Sequence, residues 1–195
     1  RPVVLDAGGA WEAVLENAYD IIVTGEINGE DTLSFKIPYR DGKRGYIDSE
    51  KKIQIVDDVY KVRTVTDTRD TDGSAVTEVY AEAEFYDLTF SVRKEERTFE
   101  AEYPETAMAY ALEGTEWSVG TVTVRTKRTW TSTEKNALSI LRNTADLHGG
   151  DLVFDCPNRL VHLLTVNGRD SGALFAYRKN MKSIQRVIDT TSQIT

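Results

Sequence analysis

Cys156 and His162, with Asp155 or Asp151 close by in the chain, form the one nucleophile-and-base set in these residues. Such a pair works when the two side chains come within hydrogen-bond reach and the thiol pKa is lowered. Cys156 precedes Pro157 in a turn-like run, and His162 sits inside an apolar strand-like run. The plainer reading is therefore a turn cysteine and a half-buried histidine. His148 and His162 are the only histidines, and no HExxH-like spacing joins them, so a zinc site would have to draw on carboxylates. A single cysteine excludes an internal disulfide and a cysteine-based zinc site. Asp67, Asp70 and Asp72 have odd spacing in a turn that ends in Gly73, faintly like a calcium loop, but no Glu closes the far end, and a solvated turn is expected. Glu26, Glu30 and Asp31 flank a hairpin turn. Paired carboxylates can cleave glycosidic bonds, yet charges that protect an edge strand from aggregation explain them more simply. Gly8 and Gly9 lack the strand–GxGxxG–helix context of nucleotide binding. The sequence thus assigns no catalytic, cofactor-binding or metal-binding residue and implies no cofactor.

The densest bases are Arg125, Lys127 and Arg128, then Arg178, Lys179, Lys182 and Arg186, with Trp130 and Tyr177 beside them. A basic and aromatic patch can hold an anionic polymer or an acidic protein face, and a solvated face is the bland alternative. Trp117, Trp130 and Tyr177 are also the aromatics that a carbohydrate-binding module would use. The formal net charge is −8, carried by residues 1–100 with 22 acids against 13 bases, while residues 101–195 have 10 against 11. That asymmetry points to two domains with different neighbours. An acidic surface repels phosphates, which argues against nucleic-acid binding. No run approaches the 18 apolar residues of a membrane span, and no basic-then-apolar signal peptide is present. A start at Arg1 rather than Met suggests a trimmed N-terminus.

These groups must be held by elements of two kinds. Residues 5–9 read as a short strand into a glycine turn, and 11–15 as a strand or a helical turn. The β-branched run 19–24 is a strand. Asn28 and Gly29 suit a type I′ turn, which needs positive φ at both central positions. Leu33, Phe35 and Ile37 then share one face of a strand that Pro38 ends. A polar loop (41–49) and strands at 52–56, 59–67 and 74–83 follow, and residues 85–88 close the unit. Strands at this spacing with almost no helix predict a small β-barrel or sandwich over residues 1–91.

Residues 92–195 read as an α+β domain, entered through a charged linker or crossing strand at 91–103. Pro104 starts a short helix with Met108, Ala109, Ala111 and Leu112 inside, and Gly114 stops it. Thr131 and Glu134 have capping-box spacing ahead of the main helix. Its inner face is Ala137, Leu138, Leu141 and Ala145, widened by Ile140 and Leu147, a stripe suited to packing on a sheet. His148 and Gly149 supply its C-terminal signals. Strands at 152–155 and 160–166 pair across residues 156–159, and the second is apolar on both faces, as in a covered strand. A turn at Asn167 and Gly168 and strands at 173–177 and 183–188 complete the reading.

Two blocks carry a family likeness. Residues 15–18 and 26–39 (Glu-Ile-Asn-Gly-Glu-Asp-Thr-Leu-Ser-Phe-Lys-Ile-Pro-Tyr in the longer piece) resemble the N-terminal region of phage minor structural proteins, the tail-associated or prophage tail endopeptidase family. Residues 149–155, 177–184 and 186–189 resemble the same family's second signature. The resemblance implies a β-rich α+β fold like a phage baseplate hub, with an N-terminal antiparallel β-barrel followed by an α+β domain whose one long helix packs on a sheet. It implies a non-enzymatic virion structural protein of the tail tip, a homotrimer that forms a ring under the distal tail protein, adjoins the tape measure protein and closes the tail tube. Assembly in the bacterial host cytoplasm, and neither membrane nor sequence-specific nucleic acid as partner, belong to the same expectation. So does a longer protein of which this chain is the N-terminal part. A peptidoglycan endopeptidase and a cell-wall carbohydrate-binding module are the alternatives.

Overall fold

A computed structural model of the chain describes residues 1–166 and 168, apart from 57, 70, 72, 94, 134 and 135. The first half is one antiparallel sheet made from β1 (Val3–Leu5), β2 (Trp11–Val14), β3 (Tyr19–Gly25), β4 (Asp31–Pro38), β5 (Lys52–Ile55), β6 (Asp58–Arg69) and β7 (Ala75–Ala83). The seven strands run in the order β2-β1-β5-β6-β7-β4-β3. Sequence neighbours β2 and β3 therefore stand at opposite edges, joined by residues 15–18 alone. Five peptide steps reach at most about 18 Å, whereas a flat sheet would separate the edges by roughly 29 Å. The sheet must curl into a half-barrel. The expected barrel is corrected in this respect: among the described residues no ladder joins β2 to β3.

Alternation explains the curl's inner face. Leu33, Phe35 and Ile37 of β4, Val79 and Ala81 of β7, Tyr60 and Val62 of β6 and Ile53 of β5 are all buried on one side. The outer face carries ion pairs instead, centred on Arg63 of β6 with Glu50, Glu82 and Asp87. The β3–β4 turn differs from the type I′ expectation. Gly29 N donates to Glu26 O at 3.1 Å, and only Asn28 has positive φ, at 59°. One αL residue suffices for this turn, and Asn is among the few non-glycine types that accept it. A 3-10 helix at Glu84–Phe90 closes the unit, with Phe85 and Leu88 turned into the core.

The 91–103 region contains a strand, β8 (Arg97–Glu102), paired with β10 (Arg128–Ser132). Helix α1 (Pro104–Leu112) has Pro104 at its first turn, and Gly114 follows with φ 72°. It buries Ala107 where Ala109 was expected; Ala109 is exposed. Helix α2 (Ala137–His148) begins later than the capping box predicts. Thr131 lies in β10, Glu134 falls outside the described residues, and Asn136 caps the helix by accepting from Ser139 N at 2.9 Å. Leu147 faces solvent, and Thr144 and His148 take the buried positions beside Ile140 and Ala145. At twelve residues against nine, α2 is only modestly the longer helix. It lies against α1 and the 3-10 segment as well as β11 and β10, so its cover is more helix than sheet.

β11 (Asp151–Asp155) and β12 (Leu160–Leu164) form the expected hairpin, and β12 also pairs in parallel with β9 (Ser118–Val122). β12 is thus central; Val161 and Leu163 are fully buried, and its other face is half-buried. The expected turn at Asn167 and the strands at 173–177 and 183–188 lie outside the described residues. A single apolar core runs from Val4 and Phe35 through Phe85 to Ile140 and Leu163.

Candidate functional site

The tip of the β3–β4 hairpin reaches across to the second half. Asn28 Nδ2 donates to Gly150 O at 3.0 Å, and Leu152 N donates to Asn28 Oδ1 at 2.6 Å. One side-chain amide thus imitates a strand partner for β11. Arg142 of α2 donates to Gly29 O at 2.7 Å, with its guanidinium over the Tyr86 ring. Beneath this, Phe154 of β11 stacks on Phe85, ring centroids 4.0 Å apart, and meets Trp117 edge-on. Glu84 is buried between Lys52 of β5 at 2.6 Å and Arg159 of the β11–β12 turn at 3.4 Å. A cleft of about 370 Å³ opens at the seam, lined by Asn28, Asp31, Asp58, Tyr60 and Phe154 among others.

The predicted chemical groups are not gathered into one site, and Cys156, His162, Asp155 and His148 are each buried or held in structural bonds. Burial, followed by the Glu84 charge, pushes the Cys156 thiol up to about 11, the reverse of an activated nucleophile. His162 Nδ1 accepts from Thr121 N at 2.8 Å, and its ring lies so close to Gly120 that a Cβ there would stand 2.6 Å from it. That bond uses the one acceptor nitrogen of the neutral ring, so the proton sits on Nε2. Asp155 accepts from Asn158 N and Nδ2, bonds that hold its carboxyl below the usual range. Asp151 opens β11. His148 is buried with Nδ1 2.9 Å from Thr126 O; a carbonyl only accepts, so Nδ1 carries the proton, the opposite tautomer to His162. Among the described residues no group of three His, Cys, Asp or Glu is placed to hold a metal ion.

Asp67 accepts from Thr77 Oγ1 at 2.6 Å and from Arg44 at 2.8 Å; Asp70 and Asp72 lie outside the described residues. Of the hairpin carboxylates, Asp31 turns inward. Burial raises its carboxyl, and the Tyr60 hydroxyl, donating at 3.0 Å, opposes that rise. Glu26 and Glu30 are exposed.

The aromatic set separates. Trp117 is buried, Trp130 is half-buried against Phe99 at 4.9 Å, and Tyr177 lies outside the described residues, so Trp117 and Trp130 make no coplanar exposed platform. Arg125 pairs with Glu105, Lys127 sits 4.8 Å from the centroid of the Tyr103 ring, and Arg128 Nε donates to Leu147 O at 3.0 Å. Arg178, Lys179, Lys182 and Arg186 lie outside the described residues. No helix among the described residues is long and apolar enough to cross a membrane.

Sequence reasoning missed two features. Asn28 was read as a turn former, and its Asn-Gly context does signal the turn, but nothing local announces a bond to residue 150. The run 19–24 reads as a strand, but that β3 is the last strand of the sheet among the described residues only topology supplies.

A half-barrel joined through one core to two helices and a mixed sheet matches a known class. Family models described as the prophage endopeptidase tail N-terminal domain and the prophage endopeptidase tail domain match residues 2–83 and 91–163. The chain belongs to this family of phage tail-associated proteins. The fold is similar to that of prophage tail protein gp18 from Listeria monocytogenes EGD-e, with TM-score 0.72, 14% identity, and 93% of this chain and 56% of that one covered. It is similar as well to the 43 kDa tail protein of prophage MuSo2 from Shewanella oneidensis, with TM-score 0.63, 12% identity, and 94% and 60% covered. A third likeness is to the tail protein from Neisseria meningitidis MC58, with TM-score 0.56, 13% identity, and 89% and 52% covered. The chain spans between 52% and 60% of the length of these structures. No curated protein matches the sequence.

Proposed function

We propose that the chain is a structural module of the tail tip, a hub-like unit that assembles as a homotrimeric ring beneath the distal tail protein, adjoins the tape measure protein and closes the tail tube. The supporting observation is the seam: two family domains share one core and are cross-tied by Asn28, Arg142 and Glu84, as a load-carrying part requires. The acids of residues 1–100 would suit the inner wall of a tube that passes DNA, since like charge prevents sticking. The test is immunogold labelling of virions together with pull-down of the distal tail protein. Label at the tail tip and a retained partner are expected; label elsewhere on the virion, or no partner, refutes the reading. The word endopeptidase in the family description keeps peptidoglycan cleavage as the second reading, and release of fragments from purified cell walls by this chain would establish it.

A further inference from the structure

A second cleft, of about 410 Å³, opens between the first sheet and the β11–β12 hairpin, with Leu5, Lys52 and Gln54 contributed by the sheet and Phe154 and Cys156 by the hairpin. Ligand sites concentrate at such boundaries between packed units, and this volume falls in their usual range of roughly 300–1,000 Å³. Trp11 of β2 stands at the rim. It pairs with Leu5, which pairs in turn with Lys52, so the three side chains share one face of the sheet. Gln54 lies two residues along the same face. Trp11 is 70% exposed, yet its indole is anchored: Nε1 donates to Gln54 Oε1 at 3.1 Å, and Gln54 Nε2 donates to Val56 O at 3.1 Å. Val56 holds φ 56°, a left-handed conformation that is costly for a β-branched residue and that gathers at binding sites. An indole that is exposed but held at its edge is a ready platform.

The polar groups around the cleft limit what can enter it. Glu84 lines it, is 7% exposed, and is neutralised by Lys52 and Arg159. Asp31 lines it too, accepting from the Tyr60 hydroxyl at 3.0 Å. Asp58 is exposed at the mouth. Three carboxyl groups disfavour a phosphate or carboxylate ligand. An organic cation would find Glu84 already taken by Lys52 and Arg159. Among the described residues no group of three His, Cys, Asp or Glu is placed to hold a metal ion. The chemistry left is that of a neutral ligand that both donates and accepts hydrogen bonds and carries a flat apolar face. The Asp58 carboxylate can accept from two adjacent hydroxyls, and the Gln54 amide keeps a lone pair and an N–H beyond its two bonds. A pyranose with equatorial hydroxyls has this form, with hydroxyls around its edge and axial C–H groups over the faces that stack on an indole.

We propose that this cleft binds a neutral oligosaccharide of gluco-configured units, with Trp11 as the stacking platform and Asp58 and Gln54 as the partners of its hydroxyls. Neither Trp117 nor Trp130 takes part. The inference stands apart from the tail-tip reading: it assigns a ligand to the chain, no bond is cleaved, and the place of the chain on the virion does not enter.

The experiment titrates the purified chain with cellotetraose and with chitotetraose, followed by calorimetry and tryptophan fluorescence, with circular dichroism confirming the fold of each variant. Trp11 is the tryptophan whose emission a bound sugar would change, since Trp117 is buried and Trp130 half-buried. Saturable heat with a blue shift of the emission is expected for at least one of the two. Trp11→Ala should weaken binding roughly tenfold or more and remove the shift. Trp11→Phe should restore part of the affinity, and Asp58→Asn should weaken it while leaving the platform in place. Spermidine and inorganic phosphate, the charged controls, should give no saturable signal. Failure of both oligosaccharides to bind, a Trp11→Ala variant that binds like wild type, or displacement of the sugar by spermidine or phosphate overturns the proposal. Tail-tip labelling without sugar binding removes this inference and leaves the structural function standing; sugar binding with label elsewhere on the virion does the reverse.

Discussion

Replacing Asn28 by Gly should uncouple the two halves of the molecule. The amide of Asn28 satisfies Gly150 O at 3.0 Å and Leu152 N at 2.6 Å, and Leu152 is buried at 6% exposure. Glycine retains the positive φ of 59° without strain, so Asn28→Gly isolates the two hydrogen bonds. A buried donor or acceptor left without a partner costs about 1–3 kcal/mol. Water will reach the more open carbonyl, so the pair should cost about 2–4 kcal/mol together. Asn28→Ala adds the left-handed penalty of about 1–2 kcal/mol. Asn28→Asp keeps the acceptor for Leu152 N and sets a second oxygen against Gly150 O, so it should fall between wild type and Gly. Urea unfolding followed by tryptophan fluorescence and circular dichroism measures each loss at constant m. A domain of this size should lose about 2–4 °C in Tm per kcal/mol. An Asn28→Gly variant within about 0.5 kcal/mol of wild type, the usual range of surface substitutions, would refute the view that this amide ties the halves together. Equal losses for Gly and Ala would refute the backbone part of the argument.

Gly120→Ala should cost about 1–3 kcal/mol by forcing the His162 ring off Thr121 N, and the cost should shrink in a His162→Ala background, because the added Cβ would meet that ring at 2.6 Å. Asp31 has its folded-state carboxyl raised by burial; the native chain therefore holds a proton that the unfolded chain has released, and stability should fall as pH rises from the ordinary Asp value through the raised one. Asp31→Asn keeps an oxygen for the Tyr60 hydroxyl, so urea melts at stepped pH should show that decline removed and a variant at least as stable at neutral pH. With its thiol raised from 9.0 to about 11, Cys156 should react with a disulfide reagent at pH 8 roughly a hundredfold more slowly in the native chain than in urea; equal rates would contradict its burial.

The strands were legible because one-sided burial writes itself as period-two alternation: Leu33, Phe35 and Ile37 can face inward together only in an extended chain. Helix ends were less so. Thr131 and Glu134 have the spacing of a capping box, but Thr131, in β10, pairs with Thr98 of β8, and a tertiary strand pairing outweighs a local cap of about 1 kcal/mol. Leu147 is apolar by type and fits the inner stripe by spacing, yet it faces solvent. Thr144 takes an inner position at no polar cost, since its hydroxyl bonds Ile140 O at 2.7 Å.

Closure of the barrel could not be read from the chain for a different reason. Alternation tells which face of a strand is buried and says nothing of its neighbours, so a seven-strand order that separates β2 from β3 leaves the same pattern as a closed ring. The same blindness hides the edge. Tyr19 to Thr24 would look identical in the middle of a sheet, and only the strand order turns those side chains into a surface. Residue types that do chemistry announce themselves, and in this chain Cys156, His162 and Asp155 announced a site that their hydrogen bonds and burial dissolve. Residues that join parts act through backbone groups and position. Asn28 matters because its amide has the shape of a peptide unit, and Ile22 because β3 is the last strand of the sheet among the described residues. For a module whose proposed work is structural, the informative residues are accordingly the ones that composition and motif pass over, and substitution of Asn28 will reveal more than substitution of the cysteine or the histidines.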